Sequence, residues 1–282
     1  MTTAKDDSPI GVIKKAEALF LSKGWSIDEE KSFERFCSTL SILNKEQRDL
    51  YFKLTKRFLR IDGIEYKRRI PDLFYQLFTR FSDTINRFYI YPLLIKKDIE
   101  NSEPKSSDDV YCAMKSNQYD LDGDIYKKLK FVGKPYQGLP ANFNEKEGSM
   151  ILLVDDFIGT GDTAISAVDY LCSEHKILVD KLTILSFVAL RQGYLSLRDK
   201  GINLITNIVV NKGISDNYYG DVKATCITTM ESIEDLINVK EKNRFGYKKS
   251  EALVKMEGTP NNTFPVYWII NEKLNFMGVF PR

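Results

Sequence analysis

Residues 151–164 read ILLVDDFIGTGDTA. The four aliphatic residues Ile151 to Val154 are typical of a central strand that is buried on both faces of a parallel sheet. Asp155 and Asp156 follow directly, so the pattern places both carboxylates at the carboxyl end of this strand, where open α/β sheets bind their ligands. The stretch therefore predicts both the core of an α/β fold and the position of a ligand site.

The residues after the carboxylates suit an anion. Gly159, Thr160 and Gly161 offer backbone N–H groups, little steric bulk and one hydroxyl donor. Thr163 is placed to cap the helix that follows. Because the N-terminus of such a helix adds about half a positive charge, we expect a phosphate at this loop.

The two carboxylates indicate a different part of the same ligand. They would repel a second phosphate, whereas sugar hydroxyl groups donate hydrogen bonds to carboxylates, and a cation that develops during a reaction is stabilised by them. A phosphate at the loop and a diol a short distance away together describe a ribose 5-phosphate. The alternative that Asp155 and Asp156 are a purely structural pair stays open at this point.

Three other glycine motifs fit less well. A Walker A loop requires Lys after its last glycine, and Asp162 occupies that position. Gly159, Gly161 and Ala164 match the pattern G-x-G-x-x-G/A. However, a dinucleotide fingerprint places its first glycine directly after the strand and an acid at the end of the next strand, whereas Asp180 precedes that strand. A haloacid-dehalogenase-like D-x-D-G-T motif is not matched by DDFIGT.

The segments around this stretch alternate between strand and helix patterns. Runs of β-branched and aromatic residues predict strands, and helical spacing of apolar residues predicts helices between them. Strand, helix and strand in succession form βαβ units, so we expect an α/β fold with a parallel doubly wound sheet. The predicted strands are RFYIYPLLI (87–95), DVYCAM (109–114), SMILLV (149–154), KLTILSFVAL (181–190) and INLITNIVV (202–210), and the predicted helices are TAISAVDYLCSEH (163–175) and QGYLSLRDKG (192–201).

The chain before residue 88 has the residue pattern of helices. Apolar and aromatic residues recur there at three- and four-residue intervals, and the third of these helices is predicted to follow Pro71. We therefore predict a helical N-terminal subdomain at 1–87 and an α/β domain at 88–282.

Composition argues against several classes of function. The 282 residues carry 41 Lys and Arg against 39 Asp and Glu, and the net charge of +2 is too small to indicate nucleic-acid binding by itself. Four well-separated cysteines and a single histidine, His175, argue against zinc clusters, disulfide scaffolds and Ser-His-Asp chemistry. The sequence has neither a leader pattern nor an apolar run long enough to span a membrane, so a cytoplasmic protein is expected.

Residues 151–163 resemble the phosphoribosyl-diphosphate-binding signature of type I phosphoribosyltransferases: four hydrophobic residues, two acids, two mostly hydrophobic positions, a small residue and T-G-x-T. The resemblance implies that Asp155 and Asp156 hold the ribose 2′ and 3′ hydroxyls and act as the catalytic residues. It also implies that residues 88–282 are a phosphoribosyltransferase-like domain. The 5-phosphate would lie in the loop formed by Gly159, Thr160, Gly161, Asp162 and Thr163.

The second landmark of that family is a pyrophosphate-binding loop after the first strand, which would fall in SEPKSSDD (102–109). Lys105, Ser106 and Ser107 are the donors predicted there. The resemblance further implies glycosyl transfer or N-glycosidic cleavage at the anomeric carbon through an oxocarbenium-like transition state. Mg²⁺ would be held by the diphosphate and water, and no metal is predicted to be ligated directly by protein residues.

The closing segment narrows the resemblance. FGYKKSEALV (245–254) and TPNNTFPVYW (259–268) resemble the end of the phosphoribosyltransferase-like (PRTase-CE type) domains of bacterial conflict and anti-phage loci, including some encoded beside retron reverse transcriptases. This implies a defence effector that is restrained by partner components, such as a reverse transcriptase with its RNA or DNA, or a helix-turn-helix protein. Its small-molecule ligand would be phosphoribosyl diphosphate, a nucleotide or an NAD-like molecule, and no membrane partner is expected.

Two residues depart from the enzyme signature. Gly159 stands where hypoxanthine-type enzymes carry an acid that acts as a base toward the purine, so base activation of that kind is not predicted. Asp162 places a negative charge inside a loop that is predicted to bind a negatively charged phosphate. Two other functions therefore stay open: a non-catalytic nucleotide-sensing or assembly subunit with a degenerate fold, and a nucleobase salvage enzyme.

Overall fold

The computed structural model describes residues 7–27, 31–101, 104–132, 139 and 142–282. The helices are α1 (Pro9–Ser22), α2 (Ser32–Ile42), α3 (Lys45–Arg57), α4 (Gly63–Phe81), α5 (Lys96–Asn101), α6 (Ser106–Ser116), α7 (Gly123–Lys128), α8 (Asp162–Glu174), α9 (Arg191–Asp199) and α10 (Gly220–Leu236). The strands are β1 (Leu59–Arg60), β2 (Arg87–Pro92), β3 (Leu129–Phe131), β4 (Ser149–Ile158), β5 (Leu182–Leu190), β6 (Asn203–Val210), β7 (Val254–Lys255), β8 (Ile270–Asn271) and β9 (Phe276–Met277). Among these residues, none of the helices combines the length and the apolar character that crossing a bilayer requires.

The described chain packs as two compact units. One unit comprises residues 61–211, and the other comprises the chain up to Arg60 together with Lys212–Arg282. The two units are defined by packing, whereas the predicted ranges 1–87 and 88–282 are defined by a change in the sequence pattern. The two divisions therefore do not coincide. The predicted domain ranges stay a prediction.

The unit 61–211 is built on a five-stranded parallel sheet with the order β3-β2-β4-β5-β6. β4 is the central strand, since Ile151 pairs with Tyr89 of β2 on one side and with Leu182 of β5 on the other. Every residue of β5 is buried, as expected for a strand whose two faces are both covered. The predicted α/β class with a parallel doubly wound sheet is confirmed.

Helices lie on both faces of this sheet. Tyr89, Ile151 and Ile184 face the core that α8 and α9 complete. The alternate residues face α4 and α6, and the ring of Phe88 contacts that of Phe78 in α4 with centroids 5.4 Å apart. Because the strands are parallel, the amino ends of α6, α8 and α9 all lie at the carboxyl edge of the sheet, where ligands bind in this architecture.

One predicted strand is a helix. The segment DVYCAM lies inside α6, because Val110, Tyr111 and Met114 are buried at helical spacing while Cys112 is exposed. The prediction was wrong because the β-branched and aromatic residues of this short segment carry strand propensity, and the tertiary packing overrides it.

The third N-terminal helix begins earlier than predicted. α4 starts at Gly63 and contains Pro71, instead of following it. Asp62 caps it, and its carboxylate accepts the N–H groups of Ile64 and Glu65. The helix therefore extends by two turns toward its N-terminus, and this extension carries Tyr66.

The other unit has an aromatic core formed by helices and the C-terminal segment. Tyr51 of α3 stacks between Phe36 and Tyr267, with ring centroids 5.0 and 5.1 Å away. The buried hydroxyl groups of Thr55 and Tyr267 are hydrogen-bonded at 2.9 Å. This core agrees with the predicted helical character of the N-terminal part of the chain, and it needs no ligand to account for its aromatic residues.

Candidate functional site

β4 carries both predicted carboxylates within the strand rather than after it. The strand continues from Ser149 to Ile158, and its pairing with β5 extends through Phe157 and Ile158. The expectation that the strand ends at Val154 was wrong, because apolar residues on both sides of the acids keep the strand in the sheet. The carboxylates therefore project from a rigid backbone, which is a precise support for a binding site.

Asp156 is buried, with 5% of its surface exposed. The hydroxyl of Tyr66, from α4, donates a hydrogen bond to Asp156 Oδ2 at 3.1 Å. The Tyr66 ring is itself packed against Phe187 of β5, with centroids 4.5 Å apart. Burial raises the pKa of Asp156, and the hydrogen bond from Tyr66 partly offsets that rise.

Asp155 is half-buried and faces a different partner. Ser106, the first residue of α6, donates its hydroxyl to Asp155 Oδ1 at 3.1 Å. The same oxygen accepts the backbone N–H of Asp156 at 2.9 Å. Burial, followed by the charge of Asp156, holds the pKa of Asp155 well above its ordinary value. Adjacent carboxyl groups whose pKa values are raised by burial are common at functional sites.

Of the predicted pyrophosphate loop (102–109), Ser102 and Glu103 lie outside the described residues, and α6 begins at Ser106. Ser106 reaches the carboxylate pair, and it is exposed. Ser107 is buried, and its hydroxyl has no hydrogen-bond partner among the residues that the structure describes. The Lys105 ammonium lies 3.1 Å from the carboxylate of Asp98, so its charge is already paired. The structure thus brings the two predicted segments together at one position, and the binding role of Lys105, Ser106 and Ser107 stays a prediction.

The loop after β4 turns into α8 with a left-handed glycine. Gly161 has a φ of +89° and stands at the N-cap position, so α8 begins at Asp162. Thr163 lies in the first turn and is exposed, and the prediction that it caps the helix was wrong. The N-cap residue Gly161 offers no side chain, and the Asp162 N–H donates to the Thr160 hydroxyl oxygen at 3.5 Å. The anion site expected at the start of this helix stays a prediction.

Thr160 and Asp162 are joined across this turn. The Thr160 hydroxyl donates a hydrogen bond to Asp162 Oδ2 at 2.8 Å. The predicted phosphate donor is thus engaged by the one acid in the loop. A phosphate that enters the loop would have to compete with this carboxylate for the hydroxyl proton.

The first turn of α9 packs directly against the same loop. A Cβ atom on Gly193 would lie 2.3 Å from the carbonyl oxygen of Gly159 and 3.2 Å from the amide nitrogen of Gly161. Real Cβ contacts do not reach the shorter of these distances, so the loop rests on α9 only because residue 193 has no side chain. Gly193 therefore positions the loop and is not expected to contact the predicted phosphate.

Sequence reasoning missed two residues of this site, Tyr66 and Gly193. Tyr66 lies in a region that reads as an aromatic helix core, where one buried tyrosine looks like any other. Gly193 lies at the start of a predicted helix, where an isolated glycine near a strand end signals a close approach of two backbones. That signal was available, whereas nothing local to Tyr66 indicated a partner in β4.

Comparisons with known proteins found a matching family model and similar solved structures. The model of the PRTase-CE family matches residues 97–282. Orotate phosphoribosyltransferase from Aeropyrum pernix matches in structure with 15% sequence identity and a TM-score of 0.31, over 50% of this chain and 68% of that one. The AQ2163 protein from Aquifex aeolicus matches with 12% identity and a TM-score of 0.30, over 63% of this chain and 93% of that one. Curated protein sequences gave no match.

Proposed function

Because this chain belongs to the PRTase-CE family, we propose that it binds a ligand containing ribose 5-phosphate and catalyses transfer or cleavage at the anomeric carbon. One observation carries the proposal: Ser106 of the α6 segment and Asp155 of β4, from the two predicted landmarks, are in contact at 3.1 Å. The ribose would lie over Asp155 and Asp156, and the 5-phosphate would lie in the loop 159–163.

The two carboxylates have different tasks in this proposal. Ser106 is exposed, so a ribose hydroxyl can replace its hydrogen bond to Asp155 at little cost. Tyr66 is buried and keeps its hydrogen bond to Asp156, so this carboxylate stays oriented while the sugar binds. Charge that develops on the ring oxygen and the anomeric carbon would then be stabilised by the carboxylates, which β4 holds in place. No side-chain nucleophile is required.

A magnesium ion is proposed to bind this site as part of a ligand complex. The described residues contain no cluster of three or more acidic, cysteine or histidine side chains that would hold a metal ion. Mg²⁺ would therefore take most of its ligands from a diphosphate and from water, as is usual for this ion in phosphate sites. When bound, it would neutralise the charge of the diphosphate leaving group.

The proposed biological role is that of an effector in a bacterial anti-phage system of retron type. It is supported by family membership and by the resemblance of residues 245–254 and 259–268 to domains of conflict loci. In this role the protein acts in the cytoplasm and is restrained by partners from the same locus, such as a reverse transcriptase with its RNA or DNA, or a helix-turn-helix protein. The target would be phosphoribosyl diphosphate, a nucleotide or an NAD-like molecule.

Mass spectrometry of nucleotides tests the catalytic proposal. The purified protein is incubated with Mg²⁺, phosphoribosyl diphosphate, NAD and a mixture of nucleotides, and the expected result is release of diphosphate or a free base. The variant Asp155→Asn/Asp156→Asn should be inactive, and Asp169→Asn/Asp180→Asn, which removes two exposed charges of the same unit, should be active. Unchanged pools with the wild-type protein, both alone and in cells infected by phage, would contradict an enzyme.

A non-catalytic sensor is the second candidate, and the contact of Thr160 with Asp162 favours it. A loop whose hydroxyl donor is already engaged suits a site that reports occupancy by exchanging one hydrogen bond for another. This candidate predicts ligand binding without turnover, and a change in partner affinity when the ligand is added. Turnover that depends on Asp155 and Asp156 would exclude it.

A further inference from the structure

An open groove of about 510 Å³ lies at the amino ends of β2, β3 and β4 in the unit 61–211. Ser149 in the groove and Ile158 at the far end of β4 are separated along one strand by roughly 30 Å, at about 3.3 Å per residue. The groove is therefore distinct from the carboxylate pair and from the loop 159–163. Neither the family signature nor the proposed function uses its residues.

The groove is positively charged. Arg87, Lys130 and Lys146 line it and are exposed, and Glu147 is the acid that accompanies them. Within the described ranges, no ion pair joins any of the three cations to an acid, although Arg87 also donates to the backbone carbonyl of Lys127. A local excess of positive charge stands out in a chain whose net charge is only +2.

The three cations come from neighbouring segments at the edge of the sheet. Lys130 of β3 pairs in register with Tyr89 of β2, and Arg87 of β2 pairs with Ser149 of β4. Adjacent strands are about 4.8 Å apart, so the cations span roughly 10 Å across the sheet. Such a row suits a ligand with several negative charges along its length rather than one compact anion.

The cations are the main recognition groups of the groove, and Asn86 adds one exposed amide. Tyr89 is 5% exposed, and the ammonium of Lys130 lies over its ring at 5.1 Å from the centroid, so the ring is not open to stacking by a base. Ser149 is buried as well. Contacts that are restricted to phosphates give binding that is independent of base sequence.

We propose that this groove binds the phosphodiester backbone of a nucleic acid, through Arg87, Lys130 and Lys146. The proposal is independent of the proposed catalytic function, since it concerns the opposite end of β4. It predicts that the protein binds nucleic acid without reading its sequence, and that the binding weakens steeply with salt.

Fluorescence anisotropy with a labelled mixed-sequence single-stranded oligonucleotide tests the groove. The variant Lys130→Gln/Lys146→Gln should bind roughly 10- to 30-fold more weakly at about 0.1 M salt, and the slope of log K against log salt should fall by about 1.4, which is the expected change for two lost phosphate contacts to a single strand. The matched variant Lys115→Gln/Lys200→Gln, which loses two exposed lysines elsewhere in the unit, should bind as the wild type does. Thermal melting checks that both variants are folded.

Three results would overturn the proposal. The first is equal binding by Lys130→Gln/Lys146→Gln and its control. The second concerns competition by inorganic triphosphate and by unlabelled DNA, with each competitor's concentration counted in phosphate groups. If triphosphate displaces the oligonucleotide at the lower concentration, the groove binds a small ligand. The third is equal displacement by an acidic polyglutamate peptide, which would indicate a protein partner. Binding that persists in Asp155→Asn/Asp156→Asn would support the separation of this groove from the proposed catalytic site.

Discussion

The regions at the two ends of β4 carry opposite charges and differ in their exposure to solvent. Toward the carboxyl end, Asp155 and Asp156 lie within the sheet, and each accepts a hydroxyl hydrogen bond, from Ser106 and Tyr66 respectively. At the amino end, cations such as Lys130 are exposed to solvent. Charges that are buried and oriented discriminate between ligands by shape, because a mismatched partner leaves them unpaired. Exposed charges attract any polyanion, and salt weakens that attraction. The carboxyl end is thus proposed to bind a specific small molecule, and the amino end is proposed to bind a polymer.

Removal of both carboxylates should give the largest effect and should act on one end of β4 alone. Asp155→Asn/Asp156→Asn is expected to weaken binding of phosphoribosyl diphosphate by roughly 100-fold or more, because at least two charge-assisted hydrogen bonds are lost at about 1.5–3 kcal/mol each. Calorimetric titration measures this loss. Asp169→Asn/Asp180→Asn is the control, and a loss in the control of similar size would mean that general charge rather than the site carries the binding.

Substitution of Gly193 should disturb the phosphate loop without changing any charge. In Gly193→Ala the new Cβ would collide with the Gly159 carbonyl, so the loop must shift; we expect a stability loss of about 1–3 kcal/mol. We also expect ligand affinity to fall by roughly tenfold or more, since a displaced loop no longer fits the phosphate. Urea unfolding and calorimetry measure the two effects. Gly123→Ala, at a position with open space around it, is the control and should change neither.

Removal of the Tyr66 hydroxyl should shift the pH dependence of the site. The hydrogen bond of Tyr66 stabilises the ionised form of Asp156, so Tyr66→Phe is expected to raise the pKa of Asp156 further. The acid limb of ligand binding should therefore move to higher pH, with an affinity loss of about 1–3 kcal/mol at pH values within the shifted limb. Binding measured across the pH range tests this. Tyr75→Phe, in an exposed position of the same helix, should leave the profile unchanged, and an unmoved limb in Tyr66→Phe would contradict the role of Tyr66.

The smallest expected effect is a gain in stability from the loss of one partly buried charge. The pKa of Asp155 in the folded protein lies well above its ordinary value of 3.8, so the folded state binds this proton more tightly than the unfolded state does. Ionisation of Asp155 therefore costs stability, and the cost grows as pH rises from about 3.8 toward the raised pKa. Asp155→Asn should be more stable than the wild type by about 1 kcal/mol at neutral pH, and the gain should vanish as pH falls toward 3.8. Denaturation at neutral and acidic pH checks the sign; a gain that is equal at both pH values would contradict it.

Much of the sheet could be predicted from sequence because β4, β5 and β6 are apolar runs bounded by turn residues. The end of β4 could not, because two adjacent acids look like a strand terminus, and only the apolar Phe157 and Ile158 beyond them keep the strand paired. The start of α4 was hidden by Pro71, which reads as a boundary although the helix contains it.

The candidate site was predictable where its chemistry is local. Asp155, Asp156 and the loop glycines form one continuous motif, and Ser106 belongs to a second one. The contact between Thr160 and Asp162 and the approach of Gly193 depend on how the loop turns, which sequence spacing does not fix. The partnership of Tyr66 with Asp156 joins residues 90 positions apart, so it required the packed structure.

Competition between two sugar phosphates tests the proposed site most directly. Ribose 5-phosphate and 2-deoxyribose 5-phosphate carry the same phosphate, and they differ only in the 2-hydroxyl, one of the two hydroxyls that the carboxylate pair is proposed to bind. Calorimetric titration of the wild-type protein should show that ribose 5-phosphate binds roughly 10- to 100-fold more tightly, because the deoxy sugar leaves a carboxylate oxygen without its donor. The difference should disappear in Asp155→Asn/Asp156→Asn. Equal affinity of the wild-type protein for the two sugars, or no binding of either, would contradict a ribose site at Asp155 and Asp156.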